Sequence, residues 1–154
     1  MQLTRYSDYS LRVLIYLAVD PGRLATIDEI ARSYGISRAH LMKVVHQLGL
    51  RGFVETVRGR GGGLRLARPA DEIGVGEVVR ATEENLALVE CMDSRASASE
   101  CAIESACGLR PVLREALAAF LAVLDGYTLA DLVARRRAPL AALLQATFTE
   151  GMHS

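Results

Sequence analysis

Cysteine is missing from almost the whole chain. Of 154 residues only three are cysteine, and Cys91, Cys101 and Cys107 all fall in the stretch "ECMDSRASASECAIESAC" at 90–107. An odd number of thiols confined to one polar segment argues against a disulfide framework. The spacings include no Cys-x2-4-Cys knuckle of the kind structural zinc sites favour, and no redox Cys-x-x-C. Long apolar runs are lacking too. The stretch "LAAFLAVL" at 117–124 is far shorter than the ~20 residues a membrane helix needs. The start, "MQLTRYSDYSLRV", carries Arg5, Asp8 and Arg12 where a secretory signal needs an unbroken apolar stretch. We therefore expect a cytoplasmic protein whose thiols are kept reduced, with no membrane partner. Two catalytic signatures are absent as well. "GRGGG" is not followed by Gly-Lys-Ser/Thr, so it is no P-loop, and no nucleophile sits beside a base in a recognisable motif. An enzyme is not expected.

What is present is a globular composition, 51% hydrophobic and 23% charged, on a chain long enough for a real core. The formal net charge of zero conceals a split. Residues 1–68 carry 11 Lys and Arg against 5 Asp and Glu, a net of +6. Residues 69–154 carry 7 against 13, a net of −6. A basic front and an acidic back suggest a nucleic-acid-binding head on a body with another task, although segregated surface charge would look the same.

Three helical patterns open the front half. "SDYSLRVLIYLAVDPG" places Leu11, Leu14, Ile15 and Ala18 on one face. "TIDEIARSYG" begins with Thr26 and Glu29 as a capping box, shows Ile27, Ile30, Ala31 and Tyr34 inward, and stops at Gly35. Ser37 can then cap "SRAHLMKVVHQLGLRG", whose inner face is Leu41, Val44, Val45 and Leu48. Only "GIS" separates the second pattern from the third, which is helix-turn-helix spacing. The third helix would enter a DNA major groove and offer Ser37, Arg38, His40, Lys43, His46 and Gln47 to bases and phosphates. The bland alternative is the wet face of a surface helix.

The next stretch favours DNA. "FVETV" and "LRLA" read as strands around the tip "RGRGGG". Gly61, Gly62 and Gly63 permit a tight reversal and close approach to a phosphate, while Arg58, Arg60 and Arg65 supply charge that suits a minor groove or backbone. A helix-turn-helix followed by this hairpin is a winged helix. Behind it, Leu113, Leu117, Phe120, Leu124 and Tyr127 are spaced 4, 3, 4, 3, an a/d rhythm that would pair two copies of the chain or simply form an ordinary core helix. "TLADLVARRR" reads as a last short helix opened by Thr128 and stopped by Pro139, and "ATFTEGMHS" carries no clear signal. The expected fold is mostly α with a small β-hairpin wing. It comprises a winged head at 1–68, a dimerisation region at 69–145 holding the cysteine loop 91–107, and a tail at 146–154.

The cysteine segment leaves several chemistries open: structural zinc, a thiol switch, or an iron–sulfur cluster. Clusters tolerate wide ligand spacing, and three thiolates would leave one iron of a four-iron cluster for another ligand. Here the chain resembles a known family. "MQLTRYSDYSLRVLIYLA", "YGISRAHLMKVVHQLGLRGFVETVRGRGGGLRLARP", "IGVGEVVRATE", "LVEC", "CGL" and "LDGYTLADLV" are similar to the nitric-oxide-responsive NsrR group of winged-helix iron–sulfur regulators, which also include IscR and RirA. The resemblance implies a homodimeric repressor on a palindromic operator. Its cluster, 4Fe-4S rather than 2Fe-2S, would be held by Cys91, Cys101 and Cys107, and nitric oxide would attack it and release the DNA. The resemblance also implies Asp8, donated by the other subunit, as fourth ligand; the alternative is that Asp8 only caps its helix. Asp93, Glu100 and Glu104 are possible substitutes. The gap between Cys91 and Cys101 is longer than is usual in that group, which keeps open a sensor of iron or cluster status on the same scaffold.

Overall fold

The computed structural model describes residues 1–96 and 101–151, with side chains as far as residue 144. Glu100 and residues 152–154 lie outside the described residues. The first helix, α1, spans Arg5–Val19, and the Thr4 hydroxyl caps it by accepting from the Ser7 N–H. Helix α2, Ile27–Tyr34, begins with the capping box of Thr26 and Glu29 and ends at Gly35 in the left-handed conformation. Helix α3, Arg38–Leu50, is capped by Ser37, whose hydroxyl accepts from the His40 N–H. Strands β1, Val54–Val57, and β2, Gly63–Leu66, pair antiparallel with Glu55 opposite Arg65. Ala25 adds a bridge to Leu64, so the wing is pinned to the segment entering α2.

The α3 stripe is as expected: Leu41, Val44, Val45 and Leu48 are all buried. The α1 stripe is not. Val13, Leu14, Leu17 and Ala18 are buried, but Leu11 and Ile15 only half so. The reason is crowding, because α1 packs against α3, β2 and three later helices, and a helix covered on several sides has no single inner stripe.

After the wing come helices α4, Val75–Thr82, α5, Leu109–Asp125, α6, Leu129–Ala134, and α7, Arg137–Gly151. Helices α6 and α7 return to the front of the chain. Leu129 and Val133 of α6 and Leu144 of α7 join the same core as Leu14, Ile30 and Phe53. The Ser33 hydroxyl of α2 donates to the Leu144 carbonyl at 3.1 Å, and the Arg137 guanidinium to the Val19 carbonyl at 2.9 Å. Pro139 does not stop a helix as expected. It sits in the first turn of α7, where a missing N–H costs nothing.

Helix α5 is different. None of its 17 residues is buried, and Leu109, Val112 and Val123 are 59%, 58% and 63% exposed. It touches the rest of the chain through α4, where Arg80 and Asp125 form a two-pronged ion pair (Nη2–Oδ2 2.8 Å). A side chain at Gly76 would collide with that Asp125 carboxylate. The a/d rhythm ends early, since α5 stops at Asp125 and Tyr127 lies beyond the Gly126 cap with its carbonyl accepting from the Val75 N–H.

Candidate nucleic-acid interface and cysteine segment

The second helix of the helix-turn-helix presents an ordered polar face. Lys43, His46 and Gln47 are exposed, and among the described residues Lys43 and His46 form no ion pair, so both remain available to an incoming polyanion. Arg38 is exposed but steadied, with its Nε 2.8 Å from Asp28 at the start of α2. Ser37 spends its hydroxyl on the cap. The His40 ring turns sideways and meets the Tyr9 ring of α1 edge-on, 4.9 Å between centroids. The expected groove-facing set is therefore brought to one face, with His40 at its edge against α1.

The wing is joined to the entry of α2 by the Ala25–Leu64 bridge. Arg58 and Arg60 are exposed and unpaired among the described residues, whereas Arg65 is engaged across the hairpin by Glu55 at 2.9 Å. That guanidinium holds the Glu55 carboxyl below its ordinary range. The glycines have local reasons of their own. Gly61 takes φ 69°, and a side chain on Gly62 would run into the Val57 carbonyl. At Gly63 a Cβ would approach the Ala25 carbonyl oxygen to 2.8 Å, so this glycine lets the wing lie against the entry to α2.

The N-terminal end of α1 gathers residues that sequence reading largely missed. Asp8 is not the cap; Thr4 is, and the Asp8 N–H bonds back to the Thr4 carbonyl at 3.0 Å. Both Asp8 carboxylate oxygens are taken by Arg12, at 2.9 and 3.0 Å. The same guanidinium lies 5.7 Å from the Tyr9 ring and 5.9 Å from the Tyr34 ring, and the Tyr34 hydroxyl donates to the Arg12 carbonyl. Burial pushes the Tyr34 phenol up to about 12, so it remains a donor at any ordinary pH. The i, i+4 spacing of Asp8 and Arg12 was a readable signal. Glu83 gave none, because its partners lie 76 and 79 positions away: Oε1 accepts from the Thr4 N–H at 2.7 Å, the Thr4 hydroxyl at 3.0 Å and the Ser7 hydroxyl at 2.6 Å. The buried Ser7 and Thr82 hydroxyls add a bond of 2.8 Å.

Glu83 begins the connection from α4 to the cysteines. Among the described residues that connection is made of short turns, with 3-10 turns at Glu90–Met92 and Glu104–Ala106. Cys91 and Cys107 are half-buried, Cys101 is exposed, and none is in a disulfide. Asp93 accepts from the Arg95 N–H at 2.9 Å, which chiefly holds its carboxyl low, and from the Asn85 amide at 2.7 Å. Glu104 faces Arg110 at 3.3 Å. Three thiols suit an iron–sulfur cluster in donor type. Within one chain they do not form a cage: among the described residues no three His, Cys, Asp or Glu side chains are grouped to hold a metal ion.

Comparison with known proteins agrees with this architecture. The model of the Rrf2 family, described as an iron-dependent transcriptional regulator, matches residues 3–135. The HTH-type transcriptional regulator NsrR of Bacillus subtilis is 58% identical over 134 residues, covering 86% of this chain and 90% of its own. NsrR of Shouchella clausii is 51% identical over 151 residues, covering 97% and 99%. Among solved structures, the global cysteine regulator CymR of B. subtilis superposes with a TM-score of 0.71 at 26% identity, covering 88% of this chain and 98% of its own. IscR of T. potens gives 0.69 at 25%, covering 88% of each. No helix among the described residues is long and apolar enough to cross a membrane. With a family match over residues 3–135, the chain belongs to the Rrf2 family and is a DNA-binding transcriptional regulator rather than an enzyme.

Proposed function

We propose that the chain is a homodimeric repressor that senses nitric oxide through an iron–sulfur cluster and then releases a palindromic operator. The observation that carries the reading is the confinement of all three thiols to residues 91–107, in a chain whose relatives are named NsrR. Cys91, Cys101 and Cys107 would hold the cluster, of the four-iron rather than the two-iron kind, with Asp8 of the second subunit completing it. When bound, the cluster would supply a centre that reacts with nitric oxide. The pairing of two chains is supported by α5, an apolar helix with no buried residue of its own. An unpartnered face of that kind is expected where a second copy packs.

The chain's own residues supply the transmission. Glu83 ties the start of the cysteine connection to the cap of α1, and Tyr9 on α1 meets His40 at the start of α3. A shift of the 83–91 connection therefore moves the end of α1, and with it the angle at which α3 meets DNA. Ser37, Arg38, His40, Lys43, His46 and Gln47 would contact the major groove, and Arg58, Arg60 and Gly61, Gly62 and Gly63 the backbone or minor groove. Asp8 must leave Arg12 to serve as a ligand, so Asp8→Ala should retain a cluster on the three thiols while weakening its control of DNA binding.

The test is iron, acid-labile sulfide and zinc per chain, in protein purified without oxygen, followed by nitric-oxide titration of its DNA complex. Near-equal iron and sulfide, with DNA released by nitric oxide, supports the reading. Zinc, or no metal, removes it. A second reading, sensing of iron or cluster supply, is favoured by the iron-dependent description of the matching family. It requires a cluster, but DNA binding that follows iron supply and not nitric oxide.

A further inference from the structure

The recognition face of α3 carries one large apolar side chain among its donors. Met42 is 46% exposed. Helical spacing puts Ala39, Lys43 and His46 at the centre of the outward face, with Met42 beside them on the Arg38 side. Its sulfur lies 3.5 Å from the Arg38 guanidinium, so the thioether lies back over the first turn of the helix. That is the part of a recognition helix that approaches base edges. Arg38 is in turn neutralised and steadied by Asp28, which fixes one wall beside the thioether. Ala39, a turn earlier and also exposed, is too small to hold the helix away from the groove floor.

An isolated exposed methionine on a protein surface needs no explanation. This one sits in a row of cations and amides on a DNA-binding helix, and its chemistry there is restrictive. A thioether over a base-edge acceptor or amino group strips water from it and returns almost nothing. The one apolar feature of the major-groove edge is the C5-methyl of thymine. We propose that Met42 is a specificity-determining residue that packs, with Ala39, on a thymine methyl in each operator half-site. Methionine suits the role because its unbranched thioether adapts to a small apolar target. The inference takes its paired half-sites from the proposed homodimer on a palindromic operator and is otherwise independent of what the cysteine segment holds.

Full-length chain purified without oxygen would be used to enrich duplexes from a random-sequence pool. Each thymine of the enriched duplex would then be replaced singly by deoxyuridine, which deletes the methyl and nothing else. At one or two positions per half-site the parent should lose about three- to fivefold in affinity, the worth of one buried methyl. In Met42→Ala the parent duplex should bind about that much more weakly, and the deoxyuridine penalty at those positions should disappear. Lys43→Ala should retain the penalty while weakening every duplex alike. Uracil tolerated everywhere, a penalty undiminished in Met42→Ala, or failure to enrich any duplex would each overturn the assignment. Met42 is a surface residue, and helical dichroism of the variant confirms that the fold is unchanged.

Discussion

Helices α1 and α5 are of similar length, and α5 is the richer in leucine, alanine and valine, with 11 of 17 residues against 6 of 15, yet it is α1 that is buried. In α1, eight of the 15 residues are buried and the helix is enclosed on several sides. In α5 none of 17 is buried, and among the described helices and strands α4 is the one packed firmly against it. Composition alone therefore does not decide burial; what the rest of the chain brings alongside does. The head is complete within one chain, because α6 and α7 return to cover it. Among the described residues nothing comparable covers α5, and Leu109, Val112 and Val123 stay exposed to water.

The largest effect should come from making one substitution in both places. Leu14→Ala deletes a fully buried side chain and should cost about 2–5 kcal/mol. Leu117→Ala, half-exposed in the single chain, should cost less, and its cost should depend on protein concentration if α5 pairs two copies. Thermal unfolding at two concentrations a hundredfold apart checks both. A parent midpoint and a Leu117→Ala cost that both ignore concentration would show that α5 is an ordinary exposed helix.

Next comes the wing. Gly62→Ala places a methyl against the Val57 carbonyl, and the hairpin must open to accept it, at about 1–3 kcal/mol of local cost. The core of the head does not include this tip, so the unfolding midpoint should fall little while DNA affinity falls clearly. A loss of stability as large as that of Leu14→Ala would mean the wing is part of the core and not an appendage to it.

Lys43→Ala sharpens the comparison of charge. Lys43 is exposed and free of ion pairs among the described residues, so each subunit should surrender about one phosphate contact. The slope of log affinity against log salt should then become shallower by about one per lysine removed. An unchanged slope would place Lys43 outside the contact. Arg65→Ala should alter the slope less, because Glu55 already partners that guanidinium.

How much of this was readable in the sequence depended on how local the causes were. The caps at Thr26, Ser37 and Thr128, the inner face of α3 and the two wing strands all follow from neighbours within a few positions, and all are found in place. The multi-sided burial of α1 and the return of α7 onto α2 depend on contacts more than 100 residues apart, as between Ser33 and Leu144, and no periodicity encodes them. Pro139 was misread because proline ends one helix and begins another with equal ease. At the site, the cysteines and basic residues were visible as residue types. The Glu83 tie and the Tyr9–His40 contact were not, since each is a meeting of distant segments.

The smallest effect should separate a satisfied carboxylate of the head from the exposed ones elsewhere. Glu29 is largely covered, and its burial by itself would raise its pKa. The Thr26 N–H and the Arg23 guanidinium outweigh that and leave the carboxyl below its ordinary range. A carboxyl depressed in the folded state adds stability above the ordinary carboxylate range, and that stability is lost as pH falls through the range toward the lower folded value. Glu29→Gln keeps the shape but removes the charge, so it should cost about 1 kcal/mol or less near neutrality and nothing once the parent is protonated. Parent and variant unfolding curves should converge as the pH is lowered. Curves that stay parallel into acid would mean that the capping box holds α2 by hydrogen-bond shape alone, without help from the carboxylate charge.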